Sequence, residues 1–313
     1  MRARAGLPSS MPRRRLLLIA LTAACLCASC SVKRFAINRL GDSLAESGTT
    51  FASDDDPDLV GAALPFSLKL IESLLAESPK HRGLLFAASS GFTQYAYAWV
   101  QQEADELEET DLAKAAALKQ RARRLYRRAR NYGLRGLEAG CPGFAKALES
   151  EPKAAVRAAR TRDVPLLYWT AASWGSLISL SKDDPEVIAG QPQVEALIDR
   201  ALELDEAFDR GAIHSFLVAY ETSRPGGTKE GAARARKHYG RAMELSGGHL
   251  ASPLVSLAEN VSLPDQNRKE WEELLGRALA VDADARPELR LANLVAQRRA
   301  RWLLSRTKDL FLE

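Results

Sequence analysis

The sequence predicts an all-α chain of degenerate tetratricopeptide-like helical repeats, an α-solenoid, on three observations. Beyond residue 59, apolar residues recur almost everywhere at helical spacing. Ala and Leu abound while Val and Ile are sparse, and no alternating strand pattern stands out. Four segments also share one spacing, a large residue four positions after an apolar one and three before an Ala, the mark of a repeat. At 313 residues, 46% hydrophobic and 27% charged, with a mean hydropathy of −0.22, the chain can bury a sizeable core.

Residues 1–29 read as an export signal. Arg13-Arg14-Arg15 precede the apolar run Leu16–Ala28, and small residues close it at Ala28-Ser29-Cys30. The run is shorter than the roughly 20 residues a spanning helix needs, and no later segment is expected to be long and apolar enough to span. The pattern resembles the bacterial lipoprotein signal, in which the Cys after the small residues is lipidated and becomes the mature N-terminus. That points to Cys30, with Cys25 after Ala23-Ala24 as a second candidate. Only Cys141 then remains in the mature body, so neither an internal disulfide nor a cysteine zinc site is available to it. Residues 30–58 are expected to form a tether and lead-in segment, and residues 59–313 the helical repeat domain. Ser31 is not the Asp that retains some lipoproteins in the inner membrane, which favours the outer membrane and a periplasmic location.

The helices follow in turn. Leu64, Leu68, Ile71 and Leu75 mark one face of a helix that stops at Ser78-Pro79. A long helix is expected from about Arg82 into the acidic stretch Glu103–Asp111, and another from about Leu112 to the breaker cluster Gly140-Cys141-Pro142-Gly143. Further breaks fall at Asp183-Asp184-Pro185, Arg224-Pro225-Gly226-Gly227, Ser246-Gly247-Gly248 and Leu263-Pro264-Asp265. The repeated signature is Ala122-x3-Tyr126-x2-Ala129, Val194-x3-Ile198-x2-Ala201, Ala235-x3-Tyr239-x2-Ala242 and Trp271-x3-Leu275-x2-Ala278. Small residues let paired helices approach while the large one plugs the next pair.

Charge and motifs narrow the function. Five of the positive charges behind the net +4 are Arg2, Arg4, Arg13, Arg14 and Arg15, so the rest of the chain carries −1. That balance argues against nucleic acid as a partner, which would call for a basic surplus. No metalloprotease, nucleophile-elbow or complete phosphate-loop motif occurs. Gly226-Gly227-Thr228-Lys229 reads as a turn. His81, His214, His238 and His249 show no metal spacing, and Asp54-Asp55-Asp56 lacks the rest of a calcium loop. No catalytic residue, cofactor or metal is expected. The basic run Arg121, Arg123, Arg124, Arg127, Arg128 and Arg130 is expected to pair with the acidic run Glu103, Asp105, Glu106, Glu108, Glu109 and Asp111 across the turn near Thr110. Phe92, Tyr95 and Trp99 share one helix face, and Tyr168, Trp169 and Trp174 cluster beside small residues. These six are candidates for core packing or for lining an apolar channel.

Four stretches carry a family resemblance: Phe92-Thr-Gln-Tyr-Ala-Tyr-Ala-Trp-Val100, Tyr132-Gly-Leu-Arg-Gly-Leu-Glu138, Ala201-Leu-Glu-Leu-Asp-Glu-Ala-Phe-Asp209 and Arg298-Arg-Ala-Arg-Trp-Leu-Leu304. The chain resembles the TatT component family, tetratricopeptide-type lipoproteins associated with TRAP transporters, from about residue 60 to the C-terminus. The resemblance implies a non-enzymatic periplasmic lipoprotein, anchored to the membrane through lipid at Cys30. It further implies a homotrimer traversed by an apolar pore, docking of the TRAP solute-binding protein, and a hydrophobic or organic-acid ligand. The alternative expectation is a lipid-anchored scaffold for envelope assembly with no small ligand.

Overall fold

The computed structural model describes residue 39 and residues 48–224 and 228–312. The signal segment, Cys30 and the central part of the break after Arg224 lie outside the described residues. Among the described residues the chain is helical throughout, with no strand.

A short α1 (Gly48–Ala52) leads into α2 (Pro57–Glu77). Asp56 caps α2 by accepting from the Asp58 and Leu59 N–H groups, with Pro57 at the first helical position. The helical body therefore begins ahead of residue 59. Next comes α3 (Arg82–Tyr95), which passes through a π-helical turn (Ala96–Gln101) into α4 (Gln102–Leu107). Asp111 caps α5 (Leu112–Gly140) by accepting from the Lys114 N–H. Small α6 (Phe144–Ser150) and α7 (Pro152–Ala155) bridge to α8 (Val164–Ser179). Then follow α9 (Pro185–Ile188), α10 (Gln191–Leu204), α11 (Phe208–Tyr220) and α12 (Thr228–Leu245). A second π-helical turn (Ala258–Ser262) continues α13 (Ser252–Leu257). The chain ends with α14 (Arg268–Leu279), α15 (Arg290–Ser305) and α16 (Thr307–Leu310).

Side-chain neighbours fix the directions. Arg121 meets Tyr95 and Gly140 meets Arg82, so α5 runs antiparallel to α3. Arg123 reaches Leu180 while Gly136 faces Leu166, so α8 runs antiparallel to α5. His214 meets His238 and Glu221 meets Arg234, which does the same for α11 and α12. Gly133 sits where α5 crosses α8 and α3. A Cβ there would fall inside the Thr170 hydroxyl and press on Ser89, so only Gly permits this approach.

The repeated signature lies on packed faces. Ala122, Tyr126, Ala129, Val194, Ile198, Ala201, Ala235, Ala242, Trp271, Leu275 and Ala278 are all fully buried. The core divides into three contiguous groups in chain order. One centres on Leu84, Leu85 and Tyr126, another on Leu167, Leu197 and Leu217, and a third on Leu254, Trp271 and Ala300.

One expectation needs correcting. α2 is long and apolar enough to cross a membrane by length and composition, with a window of mean hydropathy 1.6 of which 17% is buried. Only one face, Val60, Leu68, Ile71 and Leu75, is packed against the body. The low burial, rather than a second core, is what makes this helix unusual.

Candidate functional site

The six aromatic residues singled out in the sequence divide by burial. Phe92, Tyr95 and Trp174 are core residues, and Trp99, Tyr168 and Trp169 keep part of their surface accessible. Trp99 donates its indole N–H to the Pro57 carbonyl at 3.0 Å and lies over Gly61, where a Cβ would collide with the ring. It thus pins the start of α2 to the π-turn after α3. Tyr168 sits edge-on to Trp169 at 5.0 Å and near Phe208 and Phe216 at 5.5 and 6.5 Å. The two sequence clusters are separate aromatic groups, one in the α2–α3–α5 core and the other around α8 and α11.

A polar group that sequence reasoning missed joins the two ends of the fold. In both π-turns an N–H bonds five residues back: Gln102 to the Tyr97 carbonyl, and Leu263 to the Ala258 carbonyl. The extra residue in each bulge re-aims the side chains around it. Tyr97 comes from the first bulge, Glu259 from the second, and Arg299 of α15 lies between them and α4. The Arg299 guanidinium donates to Asp105 at 2.9 Å and to Glu259 at 2.6 and 3.0 Å, and its plane lies 4.4 Å from the Trp302 ring centre. Arg298 forks onto Glu106 at 3.1 and 2.8 Å, and Arg306 bonds Glu109. Arg290 donates to the Ser53 carbonyl at 2.9 Å. The last long helix is therefore bonded to α4 and to the segment ahead of α2, so the two ends of the described chain meet.

This pairing corrects the expectation for the two charge runs. Glu103 and Glu108 pair with Lys114 and Lys119, while Asp105, Glu106 and Glu109 pair with α15 and the residue after it. The arginines of α5 go elsewhere: Arg123 to Asp183, Arg128 over Phe92, Arg121 over Tyr95 and Arg130 over Trp174. The reason is reach. α4 has six residues, so only the first turns of α5 can lie against it; the basic run starts beyond its end, alongside the aromatics of α3.

The electrostatics of the seam are those of a recess. Tyr97 exposes 42% of its surface, yet desolvation, helped by the Glu259 charge, pushes its phenol up to about 12. Asp105 is raised, first by desolvation and also by Glu259, with Arg299 opposing. Burial works against the Arg299 charge, but Glu259, Tyr97 and Asp105 more than offset it, and its pKa rises. Gln102 is fully buried beside Tyr97, and neither end of its side-chain amide has a well-aligned partner within the protein. Across at α11, Asp209 is exposed and still raised by desolvation, and Tyr168 is raised by desolvation and by Asp209. Asp209, Arg210 and Gly211 hold three consecutive positive φ angles of 45°, 54° and 89°. Such a run is costly for two L residues that are not Gly, and it presents Asp209 on a sharp bend.

Among the described residues there is no cluster of three or more metal-ligating side chains. His214 and His238 have their Nδ1 atoms 2.8 Å apart, so one must donate and the other accept.

With that geometry in place, comparison with known proteins is decisive. The family model described as "TRAP transporter T-component" matches residues 53–311. The chain belongs to that family. An uncharacterized protein of Treponema pallidum (strain Nichols) is 30% identical to it over 323 residues, covering 96% of this chain and 99% of the relative. The T-component match spans nearly every described residue, including both ends of the charged seam. A role accessory to a TRAP transporter follows from membership, as does association with that membrane system.

Proposed function

We propose that this T-component is a non-enzymatic lipoprotein of the periplasm that docks the extracytoplasmic solute-binding protein of its TRAP transporter. Lipidation at Cys30 holds it on the membrane, where tethering raises the local concentration of the partner. A diacylglycerol with an N-acyl chain anchors stably, which a single chain does not. The observation that carries the reading is the family match across residues 53–311. Accessible aromatic side chains in both clusters support a ligand as a further part of it. Tyr97, Trp99, Tyr168 and Trp169 offer accessible aromatic surface, where a hydrophobic or organic-acid ligand can bury its apolar part. Phe92, Tyr95 and Trp174 back this surface from the core.

Native mass spectrometry of residues 31–313, alone and with the cognate solute-binding protein, tests the reading. The expected result is a homotrimer that captures the partner and retains an apolar molecule. Trp169→Asp should abolish that retention while the far-ultraviolet helical signal persists. A monomer that ignores the partner removes the docking function and leaves envelope scaffolding in its place.

A further inference from the structure

We propose that the outer face shared by α2 and α5 is a docking surface for an anionic lipid bilayer. Two adjacent stripes make it, one apolar and one cationic.

Phe66 is 75% exposed, and Leu59 and Leu70 are 60% and 37% exposed. Helical spacing places Phe66 with Ala62, Lys69 and Ser73 opposite the packed face of α2, and Leu59 and Leu70 flank them. A large aromatic and two leucines left in solvent on one helix are more than the scattered apolar residues of an ordinary surface. The adjoining α5 presents Arg121, Arg124, Arg127 and Arg128, all exposed. Among the described residues Arg124 and Arg127 make no ion pair, and Arg121 bonds only the neutral Tyr95 hydroxyl. Arg128 lies 5.3 Å from the Phe92 ring centre and 3.6 Å from Glu72, the single carboxylate in the groove between the stripes. Tyr132 also donates to Glu72 at 2.7 Å, and Arg135 donates to the Pro79 carbonyl at 3.1 Å. These bonds hold α2 and α5 side by side on α3, so both stripes face outward together.

Apolar side chains beside arginines of which Arg121, Arg124 and Arg127 have no carboxylate partner are the composition of an interfacial membrane surface. The aromatic and leucines enter the headgroup boundary while guanidiniums bind lipid phosphates. The acidic residues of this region are Asp54, Asp55, Asp56 and Asp58 beside Leu59 and Glu77 at the far end of α2, so the outward stripe from Ala62 to Ser73 carries no carboxylate. The position along the chain selects lipid over another protein. Residues 31–47 are all that separate Cys30 from α1, and 17 residues span at most about 60 Å. The surface is thus within reach of any membrane that receives the N-terminus, although its affinity does not depend on acylation.

The test is sedimentation of the unacylated chain, residues 31–313, with vesicles of phosphatidylcholine alone or mixed equally with phosphatidylglycerol. Binding is expected to the mixed vesicles only, and to weaken about tenfold between 0.1 and 0.5 M salt. Arg124→Glu/Arg127→Glu and, separately, Phe66→Asp should each weaken it about tenfold or more. All three residues are exposed, so an unchanged circular dichroism spectrum confirms that the fold survives. Lys269→Glu/Arg277→Glu, the same change in charge at a distant exposed site, should leave binding intact. No sedimentation with phosphatidylglycerol overturns the proposal. So does equal loss in the distant variant, or binding indifferent to all the substitutions. Self-association lost in Phe66→Asp without any vesicle binding overturns it in favour of a second copy of the chain.

Discussion

Replacing Arg299 by Met should open the seam that joins the two ends of the fold. The substitution keeps the apolar stem against Trp302 and removes the guanidinium shared by Asp105 and Glu259. The three side chains are 12%, 19% and 22% exposed, so water screens little of what is lost. Two carboxylates would then face each other in a desolvated place with no cation between them. Removing one partner of a buried ion pair costs about 3–5 kcal/mol, and the lost cation–π contact adds about 1 kcal/mol. At about 2–4 °C per kcal/mol, Tm should fall by about 10 °C or more.

The assay is thermal and urea unfolding, read across pH. Asp105 is already raised above its ordinary value of 3.8 by desolvation and by Glu259, and losing Arg299 raises it further. A carboxyl raised in the folded state binds its proton more readily there than in the unfolded chain. Folding therefore gains stability as pH falls from 7 towards its unfolded pKa. Arg299→Met should accordingly be most damaging at neutral pH and partly rescued near pH 5. The triple variant Arg299→Met/Asp105→Asn/Glu259→Gln, which leaves no charge behind, should regain at least half of the loss. A cost below about 1 kcal/mol for Arg299→Met, or a triple variant no better than the single one, would refute the account of the seam.

Three other outcomes follow from single sites. Trp271→Ala should cost about 3–5 kcal/mol in urea unfolding, because the ring is fully buried, edge-on to Phe311 at 5.5 Å, and donates to Thr307 at 3.2 Å. Burial lowers the pKa of both His214 and His238, Glu206 opposing it at the first and His214 adding to it at the second. The unfolded chain then takes up protons that the folded chain refuses, and stability should fall as pH drops below about 6.5; His214→Gln should flatten that slope in a pH series of denaturation curves. Arg210→Gly should stabilise by about 1 kcal/mol, since it relieves a left-handed backbone at φ 54°, whereas Gly133→Ala should destabilise by about 1–3 kcal/mol through its clash with Thr170.

Much of the fold was legible because its signals are local. The breaker cluster Gly140-Cys141-Pro142-Gly143 predicts the end of a helix from about Leu112, and α5 has those bounds. The four segments that share one spacing lie on α5, α10, α12 and α14, with their alanines buried. The charged seam was not legible. A π-turn inserts one residue into a helix, and neither Ala96–Gln101 nor Ala258–Ser262 carries a composition that announces it. Helical spacing puts Tyr97 off the face shared by Tyr95 and Trp99, and nothing near Glu259 in the sequence sets it apart from other acids. Strand-like or catalytic spacing would have been visible; a group assembled from residues 97, 105, 259 and 299 has no spacing at all.

The charge runs show the same limit from the other side. Six acids followed by six arginines invite a local pairing across the turn between them, and short-range reasoning has no means of preferring anything else. The folded chain instead gives Asp105, Glu106 and Glu109 to α15 and the residue after it, nearly 200 positions away, pairs Glu103 and Glu108 with Lys114 and Lys119, and lays Arg121, Arg128 and Arg130 over aromatic rings. This division links two features that would otherwise seem unrelated. Because Arg298, Arg299 and Arg306 neutralise Glu106, Asp105 and Glu109, the carboxylates are consumed in closing the fold. Arg124 and Arg127 lie beyond the reach of α4 and make no ion pair among the described residues. The shortness of α4 sets both outcomes: its acids bond the helix that returns to it, and the basic run beyond its end keeps an exposed cationic face. Arg299→Met should therefore loosen the seam without changing the charge that α5 presents, and the salt dependence of vesicle binding should stay as it is; a weaker dependence would refute the argument from reach.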